Sequence, residues 1–501
     1  MKGRQFVLSA DRSLMSHYRD NMLYGFIACF PSEKVSPFIY KTVFCPSLKF
    51  DKNTGEVFAA PCGVRRVEGG LINAYGKDNV MMAEPDHIEK AIGESTKVIG
   101  LNVMDAIGIG PVPSALTQGS LTPINRLSFR SLCLRLKSLK KKYGYKMVVG
   151  GPGAWQLGFD KKRVEEYGID NIVVGEVDNK AGQIFNDILA DKAPQIIYSR
   201  TDTIDEIPLI NGPTCNGIIE AMRGCGRGCD FCDPNMRKKR DFPIERLKKE
   251  ALVNLNAGIT SVWLQSEEIL LYGLDNSEMV PNKDAVIELF REMKSLPNVW
   301  FVGCIHLTFS SALAAPECVP MMAKINNFGP NFWGGIQTGL ETASAKLIKK
   351  HMPWKVKPYS PEEWPRVVRE GIKMLNDNHY FSLNTLIVGL PGEDDDDVRE
   401  TIDLIKSLDG MAAIAAPMLY TDYHNADNTI NANKMSRLQW ELYHRCWIHN
   451  AKTVSRWIWY GTAEFNPVFR LVATIFTKFG AQYALRLIRD AAKKDLGIYL
   501  N

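Results

Sequence analysis

Three cysteines, Cys225, Cys229 and Cys232, stand close together near the middle of the chain in the spacing C-x3-C-x2-C. The stretch is rich in glycine, which gives the backbone the freedom to wrap around a small inorganic core. Four cysteines would close a structural zinc site or saturate a four-iron cluster, whereas three leave one iron of a [4Fe-4S] cluster open to an outside ligand. The spacing therefore predicts such a cluster; a zinc knuckle or three unrelated core cysteines are the alternatives.

The residue before the last of these cysteines is aromatic, Phe231, so that the motif reads C-x3-C-x-aromatic-C. This motif resembles the signature of the radical S-adenosylmethionine (radical SAM) superfamily. In that family the open iron binds the amino and carboxylate groups of S-adenosylmethionine. The resemblance implies that the three cysteines hold a [4Fe-4S] cluster and that Phe231 lies beside bound S-adenosylmethionine.

Strand and helix patterns alternate from the cysteine loop up to about residue 420. Six such repeats predict a partial (β/α)6 barrel in which the chemistry lies at the carboxyl ends of the strands. The resemblance to the radical SAM family covers about residues 215–425. The predicted strands are 217–221, 259–265, 299–304, 332–340, 381–392 and 411–420, and the predicted helices are 244–257, 284–296, 361–378 and 398–408.

The end of the second predicted strand carries Ser266, Glu267 and Glu268. By resemblance, this is the place where the family uses an acidic group on the methionine ammonium, because a carboxylate makes a charge-assisted bond to a cation. We favour Glu267 slightly over Glu268. His306 ends the third strand in a position that faces the predicted cavity, and a substrate or cofactor role competes there with simple packing.

Two later segments also resemble parts of the family's S-adenosylmethionine site. Glu341 and Ser344 correspond to the strand-four segment that contacts the ribose and the methionine carboxylate. Gly389 and Pro391 correspond to the strand-five segment that packs along the adenine. The acidic run 394–397 is predicted to be a solvated helix N-terminus, which the helix dipole favours.

Upstream of the cysteine loop the pattern predicts a doubly wound, Rossmann-like parallel sheet. Predicted strands at 98–103, 146–150 and 170–175 flank a predicted helix at 127–143, and ligands of such sheets bind beyond the carboxyl ends of the strands. Polar and glycine residues follow these strands and are expected to form one rim. No G-x-G-x-x-G motif follows a strand, so a dinucleotide is not favoured.

The segments V-V-G-G-P at 148–152 and V-V-G-E at 173–176 resemble the cobalamin-binding domain of cobalamin-dependent radical SAM enzymes. The resemblance implies base-off cobalamin, whose nucleotide tail approaches the backbone at glycines. The D-x-H-x-x-G motif that supplies a histidine to cobalt is absent, and His87 is predicted to be a surface or cap residue; a domain that binds nothing is the alternative. The expected cobalamin-binding residues are Asn102, Val103, Met104, Asp105, Gly150, Gly151, Pro152, Trp155, Gly175 and Glu176.

With no histidine below the cobalt, Asn102, Met104 or Asp105 is expected near the lower face, or no protein ligand at all.

The chain has 501 residues and a formal net charge of +5 at pH 7, and its length suggests about two to four domains. We predict an N-terminal extension packing on the sheet domain (1–77), the Rossmann-like domain (78–200), the barrel (215–425) and a helical C-terminal domain (430–501). Eleven cysteines without the dense spacing of a secreted scaffold, together with the cluster motif, indicate a reducing compartment and a cytoplasmic location. Neither a signal peptide nor a transmembrane segment is evident.

The C-terminal domain is basic and aromatic: residues 434–501 hold 11 Lys and Arg against 4 Asp and Glu. A helical cap over the barrel mouth is one interpretation, and a docking face for a protein or an amphiphilic substrate is the other. The pattern of basic and aromatic residues matches no nucleic-acid-binding module, so no nucleic acid partner is expected.

An unactivated carbon has no lone pair to attack the methyl group of S-adenosylmethionine, so its methylation requires a radical route. The resemblance to the cobalamin-dependent family implies this reaction: a 5'-deoxyadenosyl radical abstracts hydrogen from the substrate, and methylcobalamin supplies the methyl group. An electron donor of the flavodoxin or ferredoxin type is expected as a partner.

The opening segment and the G-P-G-A-W loop that ends at Trp155 resemble cobalamin radical SAM proteins of methanogenic archaea, especially the enzymes that C-methylate a glutamine of methyl-coenzyme M reductase. A protein or peptide residue is therefore the expected substrate. Two alternatives stay open: a cobalamin-assisted cyclisation or rearrangement of a tetrapyrrole or isoprenoid lipid, and a cobalamin or iron-sulfur sensor that is not an enzyme.

Overall fold

The computed structural model describes residues 3–20, 22–119, 121–201, 203–232, 238–462 and 466–497. The chain divides into two compact units. Unit 1 comprises Met1–Ile219, Glu245–Val262 and Tyr423–Asp427, and unit 2 comprises Glu220–Ile244, Trp263–Asp422 and Asn428–Asn501.

The strands are β1 (Phe6–Ala10), β2 (Val80–Met82), β3 (Val98–Asn102), β4 (Lys146–Gly150), β5 (Asn171–Gly175), β6 (Ile196–Ser199), β7 (Ile218–Glu220), β8 (Met222–Arg223), β9 (Arg240–Asp241), β10 (Ser261–Gln265), β11 (Phe301–Cys304), β12 (Gly334–Glu341), β13 (Tyr380–Val388) and β14 (Ala413–Leu419). The helices are α1 (Pro37–Ile39), α2 (Cys62–Tyr75), α3 (Pro111–Thr117), α4 (Ile124–Tyr143), α5 (Lys161–Tyr167), α6 (Ala181–Leu189), α7 (Ile244–Asn256), α8 (Lys283–Lys294), α9 (Phe309–Ala314), α10 (Cys318–Ile325), α11 (Ala345–His351), α12 (Trp364–Asp377), α13 (Asp395–Ser407), α14 (Arg437–Gly461) and α15 (Pro467–Leu496).

Unit 1 is built on a parallel sheet with the strand order β2-β1-β3-β4-β5-β6. Its strands are apolar on both faces, as expected for a parallel sheet covered on both sides. Alternate residues point to opposite faces: Val7 belongs to the core that contains Phe129 of α4, whereas Phe6 and Leu8 belong to the core that contains Phe185 of α6. The predicted doubly wound fold is confirmed.

The predicted strands 98–103, 146–150 and 170–175 are confirmed as β3, β4 and β5, and the predicted helix 127–143 as α4. Residues 3–77, which the sequence analysis treats as an extension, contribute β1, which lies between β2 and β3 in the sheet. The extension and the sheet domain therefore share one sheet.

Unit 2 carries most of the predicted barrel. The barrel strands, of which β7 and β10 begin in segments of unit 1, form two three-stranded sheets, β7-β10-β11 and β12-β13-β14. A parallel bridge between His306 and Gln337 joins them: the Gln337 amide donates to the Ile305 carbonyl over 2.9 Å, and the Leu307 amide donates to the Gln337 carbonyl over 3.1 Å. The six strands thus follow one another in chain order, and the predicted partial barrel is confirmed.

The six predicted strands and four predicted helices of the barrel are all present, with ends that differ by a few residues. Three further helices, α9, α10 and α11, were not predicted. Each has only six to eight residues, which is about two turns and too short for a helical period to stand out in the sequence.

The C-terminal part is helical, as predicted, and consists of α14 and α15. The side chain of Asn450 in α14 replaces a further strand beside β14, because it accepts a hydrogen bond from the Ala415 amide over 2.8 Å and donates one to the Ala415 carbonyl over 2.7 Å. α15 packs on α14 through Ala481 and Leu485. Within the described ranges, no helix is both long and apolar enough to cross a membrane.

Candidate functional site

The cysteine loop lies between β8 and β9, the two strands of a short antiparallel hairpin that follows β7. Cys229 is buried, and Cys225 and Cys232 are half-buried. The three thiols lie near enough to affect one another: burial chiefly raises the pKa of Cys225, and a thiol–thiol hydrogen bond lowers the pKa of Cys229 while it raises that of Cys232. The fold therefore brings the three predicted ligands together.

Glycine is required at two positions between these cysteines, since Gly226 and Gly228 have φ angles of 78° and 64°, a region that side chains rarely adopt. No group of three or more His, Cys, Asp or Glu side chains in the described part of the chain is arranged around a single metal ion. Three thiols on one loop match in number and type the donor set of a [4Fe-4S] cluster with one open iron.

Arg227 lies inside the loop and is almost fully buried. Its guanidinium donates to the Lys355 carbonyl over 2.9 Å and to the Ser311 hydroxyl over 2.7 Å, and its Nε lies 3.8 Å from the Glu268 carboxylate. Glu268 also accepts a hydrogen bond from the Thr308 amide over 3.1 Å. Arg227 and Glu268 thus help to hold the loop in place, while Arg227 Nε and Glu268 Oε2 have no hydrogen-bond partner among the described residues.

Glu267, the neighbouring residue, is bound less tightly by the protein. Its carboxyl accepts a hydrogen bond from the Gly224 amide, directly before Cys225, and burial raises its pKa to about 7. Its Oε2 and the Ser266 hydroxyl are buried without a hydrogen-bond partner among the residues that the structure describes. Glu267 therefore offers an acceptor beside the cysteine loop, and a cation bound there would favour its ionised form.

Glu341 forms a buried ion pair with Lys355, a residue that the sequence analysis missed. Lys355 Nζ donates to Glu341 Oε1 over 2.5 Å. Burial alone would lower the pKa of Lys355, but Glu341, Cys229 and Cys232 together raise it. Gly339 makes room for the pair, since a Cβ there would lie 1.9 Å from the Glu341 oxygen. Lys355 thus places a positive charge near the thiols of Cys229 and Cys232.

Ser344 and the acidic run 394–397 have capping roles. Ser344 accepts a hydrogen bond from the Leu347 amide at the start of α11 and donates one to Asp397 over 2.5 Å. Asp394 caps α13 in a reciprocal capping box with Asp397, which agrees with the predicted solvated helix N-terminus.

His351, also missed, links the cysteine loop to the segment after β13. Its Nδ1 lies 2.8 Å from the Asp230 carboxylate, and its Nε2 lies 2.9 Å from the Pro391 carbonyl. Phe231 packs beside Leu347, Ile387 and Leu390. The structure thus gathers Phe231 and the Gly389–Pro391 region at one place, as the resemblance implies.

The backbone of Gly389 is fixed by a hydrogen bond within the protein. Its φ angle is 85°, and its amide donates to the carboxylate of Glu393 over 2.9 Å. The pKa of Glu393 is raised to about 7, chiefly by burial.

His306 bridges two strands rather than standing free in the cavity. Its Nδ1 lies 3.2 Å from the Ser266 carbonyl, and its Nε2 lies 3.1 Å from the side-chain oxygen of Gln337. Burial lowers its pKa, which favours the neutral ring. A neutral ring donates from one nitrogen only, so it hydrogen-bonds to one of these two oxygens. Its position between the two strands supports the packing role that the sequence analysis left open.

The predicted rim of unit 1 lies at the carboxyl ends of β3, β4 and β5, where Asn102 is in register with Gly150. Two rim glycines are required by the packing of the protein itself. A Cβ on Gly151 would lie 1.9 Å from the Asn102 side-chain oxygen, and one on Gly175 would lie 2.0 Å from the Ser199 carbonyl. Gly150 is open by contrast, since the nearest atom would be 3.7 Å away.

Among the residues expected near cobalt, Asp105 is buried and accepts hydrogen bonds from the Gln156 side chain over 2.7 Å and from the Gly110 amide over 3.0 Å. Val103 is buried as well, but Met104 is exposed. Asp105 is therefore committed to the structure, and Met104 is the exposed one of the three residues expected near cobalt, Asn102, Met104 and Asp105.

The remaining rim residues pack within unit 1. Trp155 lies against Phe159 and Tyr423, with ring centroids 5.7 and 4.8 Å away. Glu176 accepts a hydrogen bond from the Thr201 amide over 3.2 Å. Pro152 follows Gly151 in the turn after β4.

His87 stacks on Phe50 with ring centroids 4.5 Å apart, and its Nδ1 lies 2.9 Å from Glu84, as expected of a surface or cap residue.

Residues 219–405 match the family model of the radical SAM superfamily. Curated relatives include the tRNA-2-methylthio-N(6)-dimethylallyladenosine synthase of Fusobacterium nucleatum subsp. nucleatum, which is 24% identical over 289 residues, covering 54% of this chain and 60% of the relative. The threonylcarbamoyladenosine tRNA methylthiotransferase of Xenopus laevis is 25% identical over 209 residues, covering 40% of this chain and 34% of the relative. The chain thus spans less than two thirds of these relatives.

Among solved structures, one similar to this chain is the radical S-adenosylmethionine methyltransferase TsrM from Kitasatospora setae, with cobalamin and a [4Fe-4S] cluster bound. The similarity covers 83% of this chain and 72% of the TsrM chain, with a TM-score of 0.52 and 13% identity. TsrM with tryptophan substrate and a SAM analog bound gives a TM-score of 0.50 over 83% of this chain and 73% of its own, also with 13% identity. The similarity extends well beyond residues 219–405 and shows a shared fold.

Proposed function

We propose that the protein is a cobalamin-dependent radical SAM methyltransferase that acts on an unactivated carbon. The observation that carries the proposal is the pairing of the three-cysteine loop with Glu267, whose buried Oε2 has no hydrogen-bond partner in the described part of the chain. Three thiols leave one iron of a cluster open, and the methionine part of S-adenosylmethionine carries an ammonium group that a carboxylate can bind.

Some residues of the cysteine loop and its surroundings would bind ligands, and others hold the loop in place. Cys225, Cys229 and Cys232 would hold the cluster, and Glu267 would bind the ammonium group. Arg227 fixes the loop through buried hydrogen bonds. When bound, the cluster and cobalamin supply reductive cleavage of S-adenosylmethionine and the transferable methyl group, respectively.

The proposal of cobalamin rests on unit 1. Its parallel sheet and the open backbone at Gly150 suit a ligand beyond the strand ends. Asp105 is hydrogen-bonded to Gln156 and Gly110, and His87 lies beside Glu84, so we propose that exposed Met104, rather than either of these residues, would contact bound cobalamin. The similarity in fold to TsrM, solved with cobalamin bound, supports this assignment.

For the substrate we propose a protein residue, with a glutamine of methyl-coenzyme M reductase as the first candidate. This choice rests on the resemblance of the opening segment and of the loop ending at Trp155. The named relatives modify tRNA nucleosides, so tRNA is the competitor to test. An electron donor of the flavodoxin or ferredoxin type would supply the reducing electron.

The test is anaerobic incubation of the reconstituted protein with S-adenosylmethionine, a chemical reductant and a peptide that contains the candidate glutamine. We expect 5'-deoxyadenosine, S-adenosylhomocysteine and a peptide heavier by one methylene group, located on the glutamine by mass spectrometry. A peptide with asparagine in place of that glutamine is the matched control, and total tRNA is the competing substrate.

The other outcomes separate the alternatives. A methylated tRNA nucleoside with an unchanged peptide would overturn the choice of substrate. Cleavage of S-adenosylmethionine without methyl transfer or S-adenosylhomocysteine would favour cyclisation or rearrangement. Absence of any cleavage by the iron-loaded protein would contradict the enzyme itself and favour a sensor.

A further inference from the structure

Helix α15 carries apolar side chains on two opposite faces. One face packs on α14, where Ala481 and Leu485 join Ala451 in a buried cluster. The other face is exposed, and its Phe476 and Phe479 are 72% and 71% accessible. The exposed apolar residues of this face, called the outer stripe below, are Val468, Leu471, Val472, Ile475, Phe476, Phe479 and Tyr483.

The outer stripe is continuous because its members follow one another at helical spacing. From Val468 to Tyr483 the steps are one, three or four residues, which keeps the side chains on one side of a helix. At 1.5 Å per residue the stripe is about 23 Å long. Single exposed apolar residues are ordinary on protein surfaces, but a contiguous stripe of this length marks an interaction surface.

Positive charges outnumber negative ones on α15, whose acidic residues are Asp490, 3.9 Å from the Arg486 guanidinium, and Asp495. Residues 466–489 contain Arg470, Lys478, Arg486 and Arg489 and no Asp or Glu. Lys478, Arg486 and Arg489 are exposed, and on a helical projection they lie beside the outer stripe rather than opposite it. A partner for this face must therefore accept large apolar side chains and also carry negative charge.

Beside the start of α15, α14 carries Trp459, a residue type suited to a boundary between water and an apolar phase. The Arg470 guanidinium lies 4.0 Å from the ring centroid of Trp459, which is partly exposed. Tryptophan and arginine both combine an apolar body with a polar tip, and tryptophan is enriched where membranes meet water.

We propose that α15 binds the surface of an anionic lipid bilayer. The outer stripe enters the region between headgroups and acyl chains, and the adjacent cations contact lipid phosphates, in the manner of an interfacial amphipathic helix. No helix of the described residues, α15 included, is both long and apolar enough to cross a bilayer. The proposal goes beyond the methyltransferase function and does not rest on it.

The experiment measures binding of the full-length protein to unilamellar vesicles by co-sedimentation. One set of vesicles contains phosphatidylcholine alone, and the other contains equal parts of phosphatidylcholine and phosphatidylglycerol. We expect binding to the anionic vesicles that weakens with added salt, because exposed charges are screened. The doubly substituted variant Phe476→Ser with Phe479→Ser should bind at least about tenfold more weakly than the native protein, since it removes two inserted rings.

The matched control is Phe38→Ser in unit 1, because Phe38 is 75% exposed but lies outside the outer stripe; it should bind like the native protein. Lys478→Gln with Arg486→Gln should lose the preference for anionic vesicles, whereas Lys52→Gln with Lys192→Gln, which changes two exposed lysines of unit 1, should keep it. Cleavage of S-adenosylmethionine without vesicles should be the same in every variant.

Three results would overturn the proposal. The first is no binding of the native protein to anionic vesicles. The second is equal loss of binding in the Phe38 variant and the outer-stripe variant. The third is a native dimer that becomes a monomer in the outer-stripe variant while vesicle binding stays unchanged, which would make the stripe an interface between two copies of this chain.

Discussion

The two units differ in how the polar side chains at their strand ends are hydrogen-bonded. In unit 1, Asp105 accepts hydrogen bonds from Gln156 and Gly110. A side chain at Gly151 or Gly175 would clash with neighbouring atoms of the protein. In unit 2, Ser266, Glu267 and Glu268 each keep a buried side-chain oxygen without a hydrogen-bond partner among the described residues, whereas at the strand ends of unit 1 the Ser199 hydroxyl does so. Because an unsatisfied buried polar atom lowers the free energy of unfolding, we expect the group of three in unit 2 to have a ligand as its partner, whereas most of the unit 1 rim is packed and hydrogen-bonded within the protein.

This difference predicts that substitutions at the strand ends of unit 2 change ligand binding, and that those in unit 1 change stability. The largest effect is expected for the cysteine loop. Cys225→Ala, Cys229→Ala and Cys232→Ala should each lose the cluster and lower the rate of S-adenosylmethionine cleavage about a thousandfold or more, because a cluster needs all three thiolates.

Iron content and 5'-deoxyadenosine release measure this loss. Cys29→Ala changes a half-buried cysteine of unit 1 and should keep both iron and cleavage. Normal cleavage by any of the three loop variants would exclude the cluster assignment.

The next prediction compares two adjacent glutamates. Glu268→Gln removes the negative charge that faces buried Arg227 and should lower the free energy of unfolding by about 4 kcal/mol. Glu267→Gln should leave the unfolding free energy within about 0.5 kcal/mol but raise the Kd for S-adenosylmethionine about tenfold to a hundredfold, because a charge-assisted bond is lost. Denaturant unfolding and equilibrium binding separate the two effects; a reversed pattern would mean that Glu268 is the ligand.

A third prediction concerns Asp11, which follows β1 in unit 1. Burial raises its pKa to about 6 from an ordinary value of 3.8. The folded protein therefore holds this proton more tightly than the unfolded chain, so its contribution to stability is full below about pH 4 and is lost as the pH rises through about 6. The total change is about 3 kcal/mol.

Asp11→Asn should remove this decrease in unfolding free energy between about pH 4 and pH 6. Ser13→Ala should extend the decrease to higher pH, since the Ser13 hydroxyl donates to Asp11 over 2.5 Å and lowers its pKa. Urea unfolding at a series of pH values measures both, and an unchanged slope in the asparagine variant would contradict the assignment.

The smallest effect is expected from a pair of rim glycines. Gly151→Ala forces a side chain to a φ angle of 99° and against Asn102, which should cost about 2 kcal/mol of unfolding free energy. Gly150→Ala should cost no more than about 0.5 kcal/mol, yet weaken cobalamin binding if the nucleotide tail passes there. Cobalamin titration followed by absorbance distinguishes them, and unchanged affinity in the Gly150 variant would remove Gly150 from the site.

Much of the fold could be predicted from local patterns. Apolar runs bounded by glycine indicated β3, β4 and β5, and regular alternation of strands and helices indicated the six strands of the barrel. The short helices α9 to α11 escaped prediction because about two turns give too little periodicity. The place of β1 inside the sheet also needed the structure, since strand order depends on pairings between residues about 75 to 90 positions apart.

The sequence by itself determined the three-cysteine loop, because its ligands lie within eight residues of one another and their spacing is visible directly. Only the tertiary structure decided what surrounds it. Lys355 and His351 carry no motif, and their roles arise from contacts with Glu341 and with Asp230, the latter 121 residues away. Likewise, only the structure shows that Glu268 faces Arg227, with Nε 3.8 Å from its carboxylate. This ion pair is the reason to favour Glu267 as the ligand, since the Oε2 atom of each glutamate lacks a hydrogen-bond partner among the described residues.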